Sequence, residues 1–184
     1  MIEEKVLVES TLQGDISAFE EIVDAYKNRL FSFLVKLTLS RQDAEEIMQE
    51  VFIRAYTHLE KYDERWMFST WIFRIALNTY KTWQRNAKRH QTLPISEEIV
   101  GRTESGNPEK AFEMNELRRE IILLIQSLKE KQRIPLILKY VKGFSYHEIG
   151  QILGISEDAA KMKVFRARQT ICKRYLDRHR GDLS

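Results

Sequence analysis

Apolar side chains recur every three or four residues along most of this chain, the spacing of one helical face. Phe19, Ile22, Val23, Tyr26, Leu30, Leu34 and Leu37 form the first long run. Asp15 is placed to cap its start, and Ser40 ends it before Asp43. A second run over 41–59 buries Ala44, Ile47, Met48, Val51, Ala55 and Leu59, with Phe52 and Tyr56 beside them. Its other face shows Asp43, Glu46, Gln49, Glu50, Arg54 and Thr57. The stretch EKYDERWMFS breaks the pattern as a short loop, and helix resumes from Thr70 to about Arg89. Trp71, Ile75, Asn78 and Trp83 lie along that helix.

No face repeats for long between 92 and 111, where two of the three Pro fall. A flexible linker is expected there, longer than a compact domain normally carries without structure. The reading is an all-α chain of two small helical domains, 1–91 and 112–184. From 112 onward the helical pattern returns. One helix places Leu117, Ile121, Leu124 and Leu128 on its face, and the next places Ile134, Ile137, Leu138 and Val141. Pro135 fits only near the start of the latter.

The strongest local pattern lies over 145–175. Ser145 and Glu148 make a capping box, and Tyr146, Ile149 and Leu153 give the short helix a buried face. Gly154 allows a positive-φ turn, Ile155 packs inward, and Ser156 caps a second helix. Helix, three-residue turn and helix make a DNA-reading unit, the helix-turn-helix, inside a three- to four-helix domain. On the second helix Ala160, Val164, Ala167, Ile171 and Tyr175 form the packed stripe. Ala159, Met162, Lys163, Arg166, Gln169, Thr170 and Lys173 are assigned to the opposite face. Lys161 and Arg168 flank the stripe, as phosphate contacts or intramolecular partners. Cys172 is read as a buried small hydrophobe.

Charge sharpens this picture. Among 184 residues the net charge is only +3, yet residues 1–80 hold nine Lys/Arg against fourteen Asp/Glu. Residues 161–180 hold eight basic residues and one acid, and 81–91 hold four basic residues and no acid. Two basic patches on a mildly acidic chain fit a polyanion touched at two places. In the first half, Trp66, Phe68 and Trp71 precede Tyr80, Lys81, Trp83, Arg85, Lys88 and Arg89. Aromatic faces that stack on bases, interleaved with cations for the backbone, suit unpaired nucleic acid; the same aromatics also suit a core. With 7 Gly and 3 Pro, a large parallel sheet or glycine-rich nucleotide cradle is not expected. One Cys excludes an intrachain disulfide and a multi-Cys metal site, and four scattered His form no catalytic metal set. No phosphate loop or nucleophile elbow occurs, so no enzyme activity and no cofactor or metal is expected. With no signal peptide and no apolar run of 18 residues, the chain is expected in the cytoplasm, without membrane insertion.

The order of these features closely resembles the extracytoplasmic-function group of bacterial sigma factors, the two-domain members of the sigma-seventy family. The resemblance rests on DAEEIMQEVFIRAY (43–56), FSTWIFRIALN (68–78) and RNAKR (85–89) in the first half. In the second it rests on QRIPLILKYVKGFSYHEIGQILGIS (132–156) and KMKVFRAR (161–168). It implies that Asp43, Glu46, Gln49, Glu50 and Arg54 dock on the beta-prime clamp helices of core RNA polymerase. It implies that Trp66, Phe68, Ser69, Thr70, Asn78, Arg85, Lys88 and Arg89 read and open the minus-ten element on the non-template single strand. It implies that Ser156, Ala159, Lys161, Met162, Lys163 and Arg166 read the double-stranded minus-thirty-five element. The beta flap as a second polymerase contact, a monomeric free state and an anti-sigma partner holding the chain near the membrane are further implications. The chain departs from the family at Thr82, where many members carry Asp, and at Ala159, Ala160, Met162 and Lys163. A helix-turn-helix regulator acting on operator DNA without polymerase is the alternative that residues 145–175 leave open.

Overall fold

The computed structural model describes residues 4–87 and 108–180, with side chains over 4–86 and 114–180. The described residues are all-helical and form two compact units. The first contains α1 (Glu4–Leu12), α2 (Ile16–Thr38), α3 (Arg41–Thr57), a 3-10 turn (Leu59–Lys61) and α4 (Phe68–Ala87). The second contains α5 (Pro108–Gln126), α6 (Glu130–Tyr140), most of α7 (Tyr146–Leu153) and α8 (Glu157–His179).

The first unit forms around α2. Asp15 caps it by accepting from the Ser17 N–H at 3.0 Å, and Leu39 ends it in the left-handed region at φ 62°. Ser40 then caps α3, accepting from the Asp43 N–H at 3.2 Å. The helix α2 packs on both α1 and α3, and α3 packs on α4. Tyr26, Leu30, Phe33 and Leu34 of α2 meet Ile47 and Val51 of α3 and Phe68, Ile72, Phe73 and Leu77 of α4 in one core. Each of these fully buried side chains contributes roughly 1.5–3 kcal/mol relative to exposure. Two differences from the sequence reading matter here. Helix α4 starts at Phe68 rather than Thr70, because burying Phe68 draws the first turn into the core. Helix α1 was not anticipated, since it buries only Val8 and Thr11, too few positions for a periodic signal.

In the second unit α5 and α6 each pack on α8. The first four residues of α5 fall within the expected linker span of 92–111, and the rest of that span up to 107 lies outside the described residues. Pro135 stands at the sixth position of α6, deeper than expected, and is buried with Ile134, Leu136, Ile137 and Leu138. Leu117, Ile121 and Val141, read as core, are each 41% exposed. Periodicity puts them on the inner face, but no described element covers them. Cys172 is exposed, one residue beyond Ile171 and so about 100° around α8 from the packed stripe. At the C-terminal end, Arg174 donates to the Ser127 carbonyl oxygen at 2.8 Å, and Glu120 pairs with Arg178 and His179.

The helix-turn-helix follows its caps. The Ser145 N–H donates to the Glu148 carboxylate at 2.7 Å, and the Glu148 N–H returns to the Ser145 hydroxyl at 3.2 Å. The Ser156 hydroxyl accepts from the Ala159 N–H at 3.2 Å. Gly154 takes φ 68°, and the Ile155 N–H closes the turn on the Gly150 carbonyl oxygen at 2.9 Å. A Cβ at Gly150 would lie 2.8 Å from the Ile155 carbonyl oxygen and 3.4 Å from the Glu157 nitrogen. Gly150→Ala is therefore expected to cost ~1–3 kcal/mol, because backbone on both sides must shift. Urea unfolding followed by helical circular dichroism checks this, with exposed Lys161→Ala expected to stay within ~0.5 kcal/mol of the parent.

Candidate nucleic-acid and protein interfaces

The α3 face carries a mixed crest. Glu46 and Gln49 are exposed, while Asp43, Glu50 and Arg54 are half-buried along one flank. Glu50 and Arg54 pair at 2.6 Å, one turn apart, which orders both side chains without neutralising the rim around them. Ile53 stands among these polar residues at 61% exposed, and Tyr56 at 47%. Tyr56 is steadied by an edge contact with Phe19 at 5.0 Å. Sequence reasoning overlooked Ile53. The available signal is its position, three after Glu50 and four after Gln49, which makes it the apolar centre of a polar strip. An exposed isoleucine ringed by charge is the pattern of a protein contact.

The loop and the start of α4 build a second site. Phe68 is 1% exposed, held among Tyr26 (5.4 Å between ring centres), Tyr62 (5.3 Å) and Trp71 (5.3 Å). It is core, not a platform for bases, and Ser69 is buried beside it at 6%. Thr70 is also buried, at 1%, but its hydroxyl has no hydrogen-bond partner. A cleft of about 360 Å³ is lined by Lys61, Asp63, Trp66, Thr70, Trp71, Arg74, Ile75 and Asn78. It brings together three residues picked from sequence, Trp66, Thr70 and Asn78, and leaves out Phe68 and Ser69. Lys61 and Arg74 were missed. Arg74 lies one turn before Asn78, so the helical register points to it. Arg65 holds the Asp63 carboxyl down to about 2, through side-chain bonds of 2.6 to 3.0 Å and its own backbone N–H. Farther along α4, Arg85 is exposed and donates to the Thr82 hydroxyl at 3.1 Å. Lys88 and Arg89 lie outside the described residues.

The third surface is α8. Ala160, Val164 and Ala167 are buried, as expected from the stripe. Lys161 and Arg166 are exposed, and Met162 is 46% exposed. Lys163 is not on the far face: it lies about 60° from the stripe and is half-buried. Ala159 is half-buried too, and the Ser156 hydroxyl is occupied in capping. Phe165, absent from the sequence selection, is 51% exposed on the face that carries Met162 and Gln169. An apolar side chain amid charges was easily passed over, yet an exposed phenyl on this face suits a thymine methyl. Arg168 is exposed, and the Tyr140 hydroxyl beside it raises its guanidinium above the usual range. Beyond α8, Ile121, Ile125, Leu136, Ile137, Tyr140 and Val141 line an apolar groove of about 350 Å³ between α5, α6 and α8.

Among the described residues no three His, Cys, Asp or Glu side chains cluster to hold a metal ion, and no helix is long and apolar enough to cross a membrane.

Residues 22–90 match the Sigma-70 region 2 family, and residues 118–171 match Sigma-70 region 4. The chain is 32% identical over 183 residues to the ECF RNA polymerase sigma factor SigW of Bacillus subtilis (strain 168), covering 94% of this chain and 97% of that protein. It is 32% identical over 176 residues to the ECF RNA polymerase sigma-E factor of Escherichia coli (strain K12), covering 91% and 92%. In fold it is similar to CnrH in complex with the cytosolic domain of CnrY, with a TM-score of 0.69 at 21% identity over 95% of this chain and 97% of that one. It is similar as well to the sigma factor RpoE of Bartonella quintana bound to the anti-sigma factor NepR, with a TM-score of 0.67 at 20% identity over 84% and 94%. Both Sigma-70 matches stand in the units that carry the crest, the cleft and the helix-turn-helix. The family is not one of enzymes, and the chain belongs to it as an RNA polymerase sigma factor of the ECF group of the sigma-70 family.

Proposed function

We propose that the three surfaces divide the work of promoter use, the cleft on the first unit carrying the step that opens DNA. The observation behind this is the joining of two indole rings, two cations and an unpartnered buried hydroxyl in one 360 Å³ cleft. Those groups match the parts of an unpaired nucleotide: stacking for the base, cations for the phosphates and a hydroxyl for one base edge. Extruding a base costs a few kcal/mol, and stacking returns ~1–3 kcal/mol per base. A single cleft therefore cannot melt a duplex alone, and polymerase must hold the site in place. The α3 crest docks on the beta-prime clamp helices of core polymerase, with Ile53 as its apolar anchor. The outer face of α8 reads the double-stranded minus-thirty-five element through Lys161, Met162, Phe165 and Arg166. The apolar groove of the second unit takes the beta flap, or an anti-sigma factor when the chain is held inactive. The free chain is a cytoplasmic monomer, nucleoid-associated when active, and leaves all bond making to polymerase. Weak sites on one chain gain affinity by effective concentration once polymerase fixes their spacing. Under this reading the chain works as two domains, and the second includes α5 from Pro108, four residues before the expected start at 112.

Run-off transcription with purified core polymerase tests the reading as a whole. Specific starts are expected only when this chain is added. Operator-like binding with no polymerase-dependent start would replace it with the regulator reading.

Ile53→Asp, and separately the Glu50→Lys, Arg54→Glu exchange, are expected to raise the Kd for core polymerase while circular dichroism stays native. An anchor residue carries ~2 kcal/mol or more, so Ile53→Asp should weaken binding by roughly thirtyfold. Unaltered binding would return the strip to plain surface. Trp66→Ala is expected to reduce permanganate reactivity of the bubble at matched promoter occupancy by roughly tenfold, the loss of one stacking contact. On α8, Lys161→Ala and Arg166→Ala should each weaken upstream-element binding. If the contact is to phosphate, the salt slope falls by about one unit and all sequences weaken alike. Phe165→Ala should instead relax preference at one base pair and leave the salt slope unaltered, as selection on a randomised upstream element will read.

A further inference from the structure

Helix α1 carries no residue of the three surfaces, yet it reaches the loop that walls the cleft. Lys5 Nζ lies 2.8 Å from the Glu64 carboxylate, beside Asp63. Glu4 accepts a hydrogen bond from the Tyr26 hydroxyl. The Tyr26 ring stands edge-on to Phe68 at 5.4 Å, and Phe68 does the same to Tyr62 at 5.3 Å. The Tyr62 hydroxyl donates to the Trp66 carbonyl oxygen at 2.6 Å. Helix α1 also packs on the 3-10 turn that leads into the loop. The Asp63–Arg65 pair and the bond from the Trp66 N–H to the Asp63 carbonyl oxygen stiffen the loop internally, without tying it to the helices. Burial and the Glu4 hydrogen bond push the Tyr26 hydroxyl up, so it remains a donor at every working pH.

We infer that α1 is a brace: Glu4 and Lys5 are positioning residues that hold the loop 61–67 against α4 and so set the width of the cleft. The inference rests on the reading of that cleft as the site for the unpaired strand. Lys5 and Glu64 are 57% and 48% exposed, so the ion pair is weak and its loss grades the cleft rather than abolishing it. Lys5 also lies 3.9 Å from Glu9, so removal of its charge and its reversal need separate variants.

The test uses the full chain and its complex with core polymerase. Lys5→Gln, Lys5→Glu and Glu64→Lys are compared with the Lys5→Glu, Glu64→Lys exchange. Hydrogen exchange of the amides over 60–68 in the free chain is expected to rise in each single variant by roughly two- to fivefold, as for loss of an exposed ion pair. The exchange should bring it back toward the parent, a rescue that general destabilisation does not give. Loop exchange that is unaltered in all single variants, or that the double variant fails to restore, overturns the brace. Permanganate reactivity at matched promoter occupancy is read on the same variants, beside Trp66→Ala. Looser loops with weaker bubbles and rescue support both readings. Looser loops with rescue, but full bubbles in every variant including Trp66→Ala, support the brace and overturn the cleft as the strand site.

Discussion

The burial of Phe68 is the contact on which the first unit's working surface depends. Its ring lies among Tyr26, Tyr62 and Trp71, and that cluster starts α4 at the loop's end. Replacing such a phenyl by methyl costs ~3–5 kcal/mol, a large share of a small domain's margin. Once Phe68 points inward, the helical register is settled for the rest of α4. Ile72, Phe73, Ala76 and Leu77 then follow it into the core. Arg74 and Asn78 turn outward, and Trp71 and Ile75 lie on the border where the cleft forms. One anchored aromatic thus decides which side chains remain free for a ligand.

The second unit is governed by a tighter constraint of the same kind. The turn between α7 and α8 closes on Gly150, where backbone atoms leave no room for a Cβ. That closeness lets Ile149 of α7 and Ala160 and Val164 of α8 all reach the buried interior. The outward face of α8 follows from the inward one, because a helix with Ala160, Val164 and Ala167 buried must present Met162, Phe165 and Gln169 to solvent.

How much of this was legible in the sequence depended on whether the cause was local. The caps at Asp15, Ser145 and Ser156 and the turn at Gly154 follow from neighbouring residues, and they stand where the pattern put them. The start of α4 does not, since a loop containing Ser69 and Thr70 reads as polar until Phe68 finds its tertiary partners. Leu117, Ile121 and Val141 illustrate a second limit. Period 3.6 states which way a side chain points, not whether anything covers it, and here the inward face opens into a groove. Lys163 illustrates a third: dividing a helix into two faces ignores its flanks, and a long aliphatic stem half-buries there while its charge stays in water. Ile53 and Phe165 were passed over because an apolar residue on a polar face carries no periodic signal. The cleft itself needed the loop's path, which no local rule predicts.

The crest, the cleft and the outer face of α8 share a property. Each is small and partly exposed, and under the proposed division of work each would rest on contacts worth a few kcal/mol at most: Ile53 on α3, one cleft on α4, a handful of side chains on α8. None of them alone can hold promoter DNA against the many competing non-specific sites of a genome. Linked on one chain and held at fixed spacing, their free energies add while the entropic cost of association is met once. The same arithmetic makes inhibition simple. A partner that covers one surface removes more than that surface's own affinity, because it also removes the effective concentration that the other sites draw on. Under the proposed division of work, the apolar groove of the second unit offers such a partner area to bury apart from Met162, Phe165 and Arg166 of α8.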